Sequence, residues 1–259
     1  MNTFIINPSS YQVTKPFPYA YQDNFLTVDF ASAIQLEILD LSGSTWDRYN
    51  NPFEQKYTLR DKYAFPPNLN KLFEIFQSPQ FVSRLSEIVG HELLLDTTRN
   101  FWGVHTYENG DYLDIHVDAG FHPTLGLKKQ ATLGLYLSHN WDPAYGCELE
   151  IWNGSSAGTN NPTIDSVANK IAPLFNRLVL FTCDDYAWHG NPSPVKGSET
   201  SKRIFITISY LSRNTADTNK RVKALFVARP GDPPSEEKDR LRLLRADPER
   251  YNEIYRVVP

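Results

Sequence analysis

The strongest constraint on the fold is a change of hydrophobic period near residue 100. Before it, apolar residues recur at helical spacing; after it, they alternate. Strand candidates follow one another at 100–107, 112–118, 130–138, 147–152, 177–183 and 203–211, with no helical stretch between them. Without crossover helices a doubly wound parallel sheet is excluded, and an antiparallel sandwich or barrel is predicted. Glu108-Asn109-Gly110-Asp111 is a turn signal that predicts a hairpin between the first two strands. The segments 153–162 and 191–201 are rich in Ser, Asn, Gly and Pro and read as loops.

The flanks differ in character. Residues 17–26 read as a strand running into a turn, and Thr27 is placed to cap a helix through 29–39. A second helical stretch covers 68–76. Ser78-Pro79 opens a third, over 80–90, with Gly90 near its end. Behind the strands come one more strand, 223–228, and a charged helix around 235–245 that suits a solvated face. One domain over 1–259 is expected: an N-terminal strand and helical support over 1–99, a β core over 100–212, and a strand-and-helix tail over 213–259.

The strand faces locate the chemistry. Ala131, Leu133, Leu135 and Leu137 form a greasy face, as do Ile204, Ile206 and Ile208. Opposite them lie Gln130, Thr132, Gly134 and Tyr136, and Arg203, Phe205, Thr207 and Ser209. Alternation likewise groups Tyr112, Asp114, His116 and Asp118, and groups Phe101, His105 and Tyr107. An exposed face would carry Lys and Glu; these carry aromatic and small polar residues, as a pocket interior does. With two Cys and six His, a transition metal would be held by His and carboxylate. A net charge of -4 argues against a nucleic-acid binder. No long apolar run suggests a membrane span, and the opening residues lack a signal-peptide pattern, so a cytoplasmic protein is expected.

His116 and Asp118 stand two apart on one strand face, the spacing of two ligands to one metal or of a hydrogen-bonded pair on a half-buried strand. His189 follows the apolar strand 177–183. Two His and one carboxylate on one side of a metal leave coordination positions open. The stretch TYENGDYLDIHVD resembles the signature strand pair of the iron- and 2-oxoglutarate-dependent oxygenases, in their prolyl 4-hydroxylase-like branch. QATLGLYLS, CELEIW, RLVLFTCDDYAWHGNPSPV and RIFITISYL resemble the strands that follow, and PFPYAYQDNFL the usual entry segment. Together they cover 17–39 and 100–212. The chain departs from that branch at Gly146-Cys147, where Gly-Gly is usual.

The resemblance implies a mainly β fold, a double-stranded β-helix (jelly-roll, cupin-like) core with flanking N-terminal helices. It implies Fe(II) on His116, Asp118 and His189, with O2 and 2-oxoglutarate as co-substrates and ascorbate as a candidate reductant. Arg203, with its planar fork, and Tyr136 would take the far carboxylate of 2-oxoglutarate, with Tyr107 and Thr132 beside it. Related halogenases lack the carboxylate ligand, so Asp118 favours hydroxylation. His105, Phe121, His122 and Trp188 are the candidate substrate contacts. A small-molecule substrate is expected; a prolyl or other protein residue is the alternative, and a non-catalytic jelly-roll binding module is a third reading. A closed pocket capped by 119–129, 153–176 or the tail would suit a small molecule, whereas a long open groove would suit a peptide. Oligomeric state is not legible.

Overall fold

A computed structural model of the chain describes residues 4–213, 221–247, 250 and 257–258. In chain order its elements are α1 (Pro8–Val13), β1 (Tyr19–Gln22), α2 (Val28–Leu39), β2 (Trp46–Asn51), β3 (Glu54–Leu59), α3 (Pro67–Gln77) and α4 (Pro79–Val89). Then come β4 (Leu94–Leu95), β5 (Trp102–Tyr107), β6 (Tyr112–Val117), β7 (Lys128–Tyr136), β8 (Leu149–Gly154), β9 (Ile164–Ile171) and β10 (Arg177–Thr182). The chain closes with β11 (His189–Asn191), β12 (Arg203–Ser212), β13 (Leu225–Phe226), α5 (Glu236–Ala246) and β14 (Val257–Val258).

The helices form for local reasons. The Ser78 hydroxyl accepts from the Phe81 amide, Pro79 takes the first turn, and Gly90 ends α4 at φ 78°. Thr27 holds the cap position of α2, but its hydroxyl makes no capping bond. The Glu37 carboxylate of α2 accepts from the Asn68 and Leu69 amides, which places a negative charge on the α3 N-terminus.

The strands form one curled antiparallel path, β1-β10-β7-β12-β5-β3-β6-β11-β8-β9. This is the double-stranded β-helix core. Its outer greasy face behaves as the alternation predicts. Leu133, Leu135, Ile204 and Ile206 are fully buried in one core with Ile34, Leu72, Phe76 and Leu85 of the helices. Each such side chain contributes about 2 kcal/mol. The opposite face is therefore free to be polar.

The structure differs from the expectation or adds to it at three points. The hairpin between β5 and β6 is not a ladder. The chain does reverse there, with the Asp111 amide donating to the Glu108 carbonyl. However, β3 inserts between the two strands and pairs with both. A turn signal specifies the reversal, not the partner. Second, the hairpin of β2 and β3 went unrecognised, although the Asn51 side chain accepts from the Phe53 and Glu54 amides in a tight turn. Third, β9 extends beyond the loop assigned to 153–162 and pairs with β8. The tail expected over 213–259 falls partly on 214–220 and 248–259, most of which lies outside the described residues. No helix among the described residues is long and apolar enough to cross a membrane.

Candidate active site

His189 opens β11 directly opposite His116 on β6, so one strand register brings the distant histidine to the His116–Asp118 pair. Ligand atoms of the three residues all lie within 4.8 Å of one another. His116 Nε2 is 3.6 Å from Asp118 Oδ1. The other ring nitrogens are spoken for: His116 Nδ1 lies 2.9 Å from the Asp114 carbonyl and His189 Nδ1 2.8 Å from the Ala187 carbonyl. A carbonyl only accepts, so each Nδ1 carries the proton and each Nε2 is left with a lone pair for a metal. Burial, and then His116, push His189 down to about 4, so it stays neutral at physiological pH. Burial opposes ionisation of Asp118, but the Lys129 ammonium outweighs it and holds the carboxyl well below its usual range.

Lys129 was not foreseen. Its Nζ donates to Asp118 Oδ2 at 2.7 Å, with the Thr132 hydroxyl at 3.5 Å. Strict alternation puts Gln130 on this face instead. The β7–β12 register slips between Tyr210 and Leu211, so Lys129 turns inward while the Gln130 side chain accepts from Ser212. A second slip, in β6 against β11, has the same effect. Leu113 joins His116 and Asp118 in the cavity, while Asp114 turns out to meet Lys238 at 2.8 Å. Tyr112 leaves the site with it and donates to the Pro52 carbonyl. A single slip reverses every side chain beyond it, and nothing in the local pattern marks these two.

Behind the triad, Arg203 is 1% exposed. Its Nε donates to the Cys147 carbonyl at 3.0 Å and Nη2 reaches the Tyr136 hydroxyl at 3.3 Å, while buried Nη1 has no partner among the described residues. The guanidinium lies 4.6 Å from the Tyr107 ring centre. Burial pushes the Tyr136 phenol up to about 12, so it remains a neutral donor. A buried cation with a spare donor and no carboxylate calls for an anionic ligand. Cys147, at φ 52°, occupies backbone space that favours glycine, which accounts for the residue usual in the resembled branch. Its consequence is the seat of Arg203, since its carbonyl is the Nε acceptor.

These groups line a cavity of about 390 Å³. His105, Tyr107, Thr132, Tyr136 and Arg203 all face it, together with His116, Asp118 and His189. Three other expected contacts do not. His122 is buried, with Nε2 between Asp96 and Thr98, and its loop folds back on 96–98 instead of over the mouth. Phe121 is buried beside it and bridges to Lys128. Trp188, one residue before His189, points to the opposite face, where its Nε1 donates to the Ser155 carbonyl.

The β2–β3 hairpin and the tail supply walls that were missed. Tyr49, Lys56 and Thr58 come from the hairpin, and Lys223, Ala224 and Phe226 from the tail. The alternation of Glu54, Lys56 and Thr58 could have announced β3; nothing local ties β13 to the site.

Residues 102–212 match the profile of the 2OG-Fe(II) oxygenase superfamily. The β core over residues 102–212 is a domain of this superfamily. It is therefore an oxidoreductase, a dioxygenase that uses Fe(II), 2-oxoglutarate and O2. No curated protein matches the oxygenase by sequence. Solved structures share its fold. A prolyl-4-hydroxylase of Pseudomonas putida superposes with a TM-score of 0.54 at 15% identity, covering 77% of this chain and 94% of that one. A Trichoplax adhaerens prolyl hydroxylase, in complex with a hypoxia inducible factor peptide fragment, gives 0.55 at 19% identity, with 78% and 86% covered. HygX from Streptomyces hygroscopicus, with nickel and 2-oxoglutarate bound, gives 0.56 at 11% identity, with 86% and 97% covered.

Two results are expected of this site. A Cβ on Gly190 would meet the backbone carbonyls of Asp114 at 2.8 Å and Leu113 at 2.9 Å. Gly190→Ala therefore pushes β11 off β6, costs on the order of 2 kcal/mol and loosens the triad. A lowered thermal midpoint and weaker Zn(II) binding against a chromophoric chelator would show it. The second concerns pH. Unfolded His189 takes up a proton near 6.5, the folded residue only near 4. Across that window the unfolded state binds more protons, so the metal-free oxygenase loses stability as pH falls. The slope for His189 is about 1.4 kcal/mol per pH unit. His105, also held well below its ordinary value by burial, adds in the same direction. Urea midpoints that do not change between pH 6.5 and 5 would refute this.

Proposed function

We propose that the oxygenase hydroxylates a small molecule, with His116, Asp118 and His189 holding iron and Arg203 with Tyr136 seating the far carboxylate of 2-oxoglutarate. The unpartnered Nη1 of Arg203, buried among Tyr107, Tyr136 and Phe205, is what makes these residues fit that co-substrate. Bound iron and 2-oxoglutarate supply the oxidising power, with succinate and CO2 as by-products. The protein orients and excludes. Lys129 and Thr132 occupy Asp118 Oδ2, so Asp118 would offer a bound metal its other oxygen. Tyr107 and Tyr136 keep Arg203 dry. Phe226 packs 5.3 Å from His116 and shields it from water.

The observation that supports a small substrate is the cover over the iron side of the cavity. Strand β13 pairs with β6 beside His116, and Phe53 stacks on Phe226 at 4.7 Å. The hairpin and the tail thus narrow the approach on which a peptide would lie. The similar structures include one bound to a peptide fragment and another, HygX, bound to hygromycin B, so the fold accommodates both kinds of partner. The two cysteines are free and buried, which suits the reducing cytoplasm proposed for the protein. The test is succinate formation by the iron-loaded enzyme. A dialysable metabolite fraction is expected to raise it above the basal rate; stimulation by proteins and peptides alone would refute the proposal.

A further inference from the structure

The charges around the cavity do not balance. Three cations on its wall are matched: Lys129 with Asp118 at 2.7 Å, Lys56 with Glu54 at 2.7 Å, and Arg60 with Asp47 at 2.6 Å. Two are not. Arg203 has no carboxylate, and half-buried Lys62 donates only to the Asn100 carbonyl at 2.9 Å, with no ion pair among the described residues. Loading does not change the balance, because the iron dication and the 2-oxoglutarate dianion cancel. In the loaded, partly closed cavity Arg203 meets the 2-oxoglutarate carboxylate proposed for it, and the formal excess of positive charge that remains includes Lys62, on which Asp96 acts from outside the cavity lining, in a chain whose net charge is -4.

A second observation points to the same place. His105 lines the cavity on the same strand face as Tyr107, and its buried Nδ1 has no hydrogen-bond partner among the described residues. The wall that carries His105 also carries Lys56, and both are shared with the space beneath the tail that reaches His116 and Asp118. A buried ring nitrogen left unpaired costs free energy unless a ligand group completes it. An oxyanion in this cavity would answer both needs, accepting from His105 in the tautomer that carries its proton on Nδ1 and supplying the counter-charge to Lys62.

We infer that the substrate is a small organic anion, whose carboxylate or phosphate is recognised by Lys62 and His105. This rests on the small-molecule oxygenase reading above and narrows it to a chemical class. Charge complementarity of this kind rejects neutral analogues, because they leave the cation desolvated and unpaired.

The experiment uses the full chain loaded with Zn(II) and 2-oxoglutarate. Phenylacetate and cyclohexanecarboxylate are titrated beside their amides, with phenyl phosphate as a separate arm. The readout is the imidazole resonance of His105, assigned with His105→Gln. A saturable shift is expected with the anions, at affinity at least about tenfold above the amides. The carboxylate and phosphate arms tell which oxyanion is preferred. Lys62→Met is expected to remove most of that preference, and the acid–amide comparison on the unaltered chain stands without the variant. Equal binding of acids and amides, or no shift with any anion, overturns the inference. A parallel anaerobic sample with Fe(II) separates the two levels. A missing charge-transfer band there overturns the oxygenase reading and this inference with it; a normal band without acid preference overturns this inference alone.

Discussion

Replacing His116 by Ala is expected to erase the weak visible charge-transfer band that Fe(II) and 2-oxoglutarate produce with the unaltered oxygenase under anaerobic conditions. Succinate formation should fall with it, by on the order of 10³-fold, the equivalent of about 4 kcal/mol. The size follows from the geometry. The site offers three donors within 4.8 Å, so each is a third of the protein's hold on the metal. An alanine also leaves the Asp114 carbonyl, now the acceptor of the His116 Nδ1 proton, without that donor. The experiment discriminates between classes of function as well as between residues. A jelly-roll that merely binds a partner would show no band before substitution and no change after it. A band that survives in the variant would mean that iron sits elsewhere. The thermal midpoint of the metal-free variant should fall by only a few degrees, about the cost of one buried hydrogen bond, so the lost band is not explained by unfolding.

Arg203→Met is expected to have the second largest effect, and a different signature. The KM for 2-oxoglutarate should rise on the order of 10²-fold, because a buried charged contact to a carboxylate is lost. Metal binding should be retained, since the proposed ligands His116, Asp118 and His189 do not include Arg203. Arg203→Lys should rescue little. Lysine is a point charge, whereas the guanidinium spends Nε on the Cys147 carbonyl and Nη2 on Tyr136 while keeping Nη1 free. An unchanged KM in the methionine variant would move the co-substrate's carboxylate to another cation, and Lys56 and Lys62 would then be the ones to substitute. The two variants together separate failure to bind metal from failure to bind co-substrate, which a single activity assay would merge.

How much of this was legible before the structure depends on whether the signal was local. Alternation placed Leu133, Leu135, Ile204 and Ile206 in the core and Arg203, Tyr136 and Thr132 on the cavity face, because side-chain direction in an unbroken strand is a matter of counting. The same counting failed at Lys129, Leu113 and Tyr112. Each lies at or beyond a register slip, and a slip is made by the partner strand. The turn at 108–111 was correctly placed yet misread as a hairpin, since β3 competes for both strands. His122 looked like a loop residue at the cavity mouth, but Asp96 and Thr98 hold it in the interior.

By itself the sequence determined which residues could do the chemistry: six histidines, two cysteines and a His116–Asp118 pair left little choice for a metal. It also determined the alternation that turns Arg203 inward. Only the tertiary structure decided that His189 meets His116, that Lys129 holds one oxygen of Asp118, and that the β2–β3 hairpin and the tail wall the cavity. The physical reason is range. Residue type and strand period act over a few positions. Register, bulges and cover are fixed by hydrogen bonds and packing between segments far apart in the chain, and those are the terms that shape the space in which a substrate would bind.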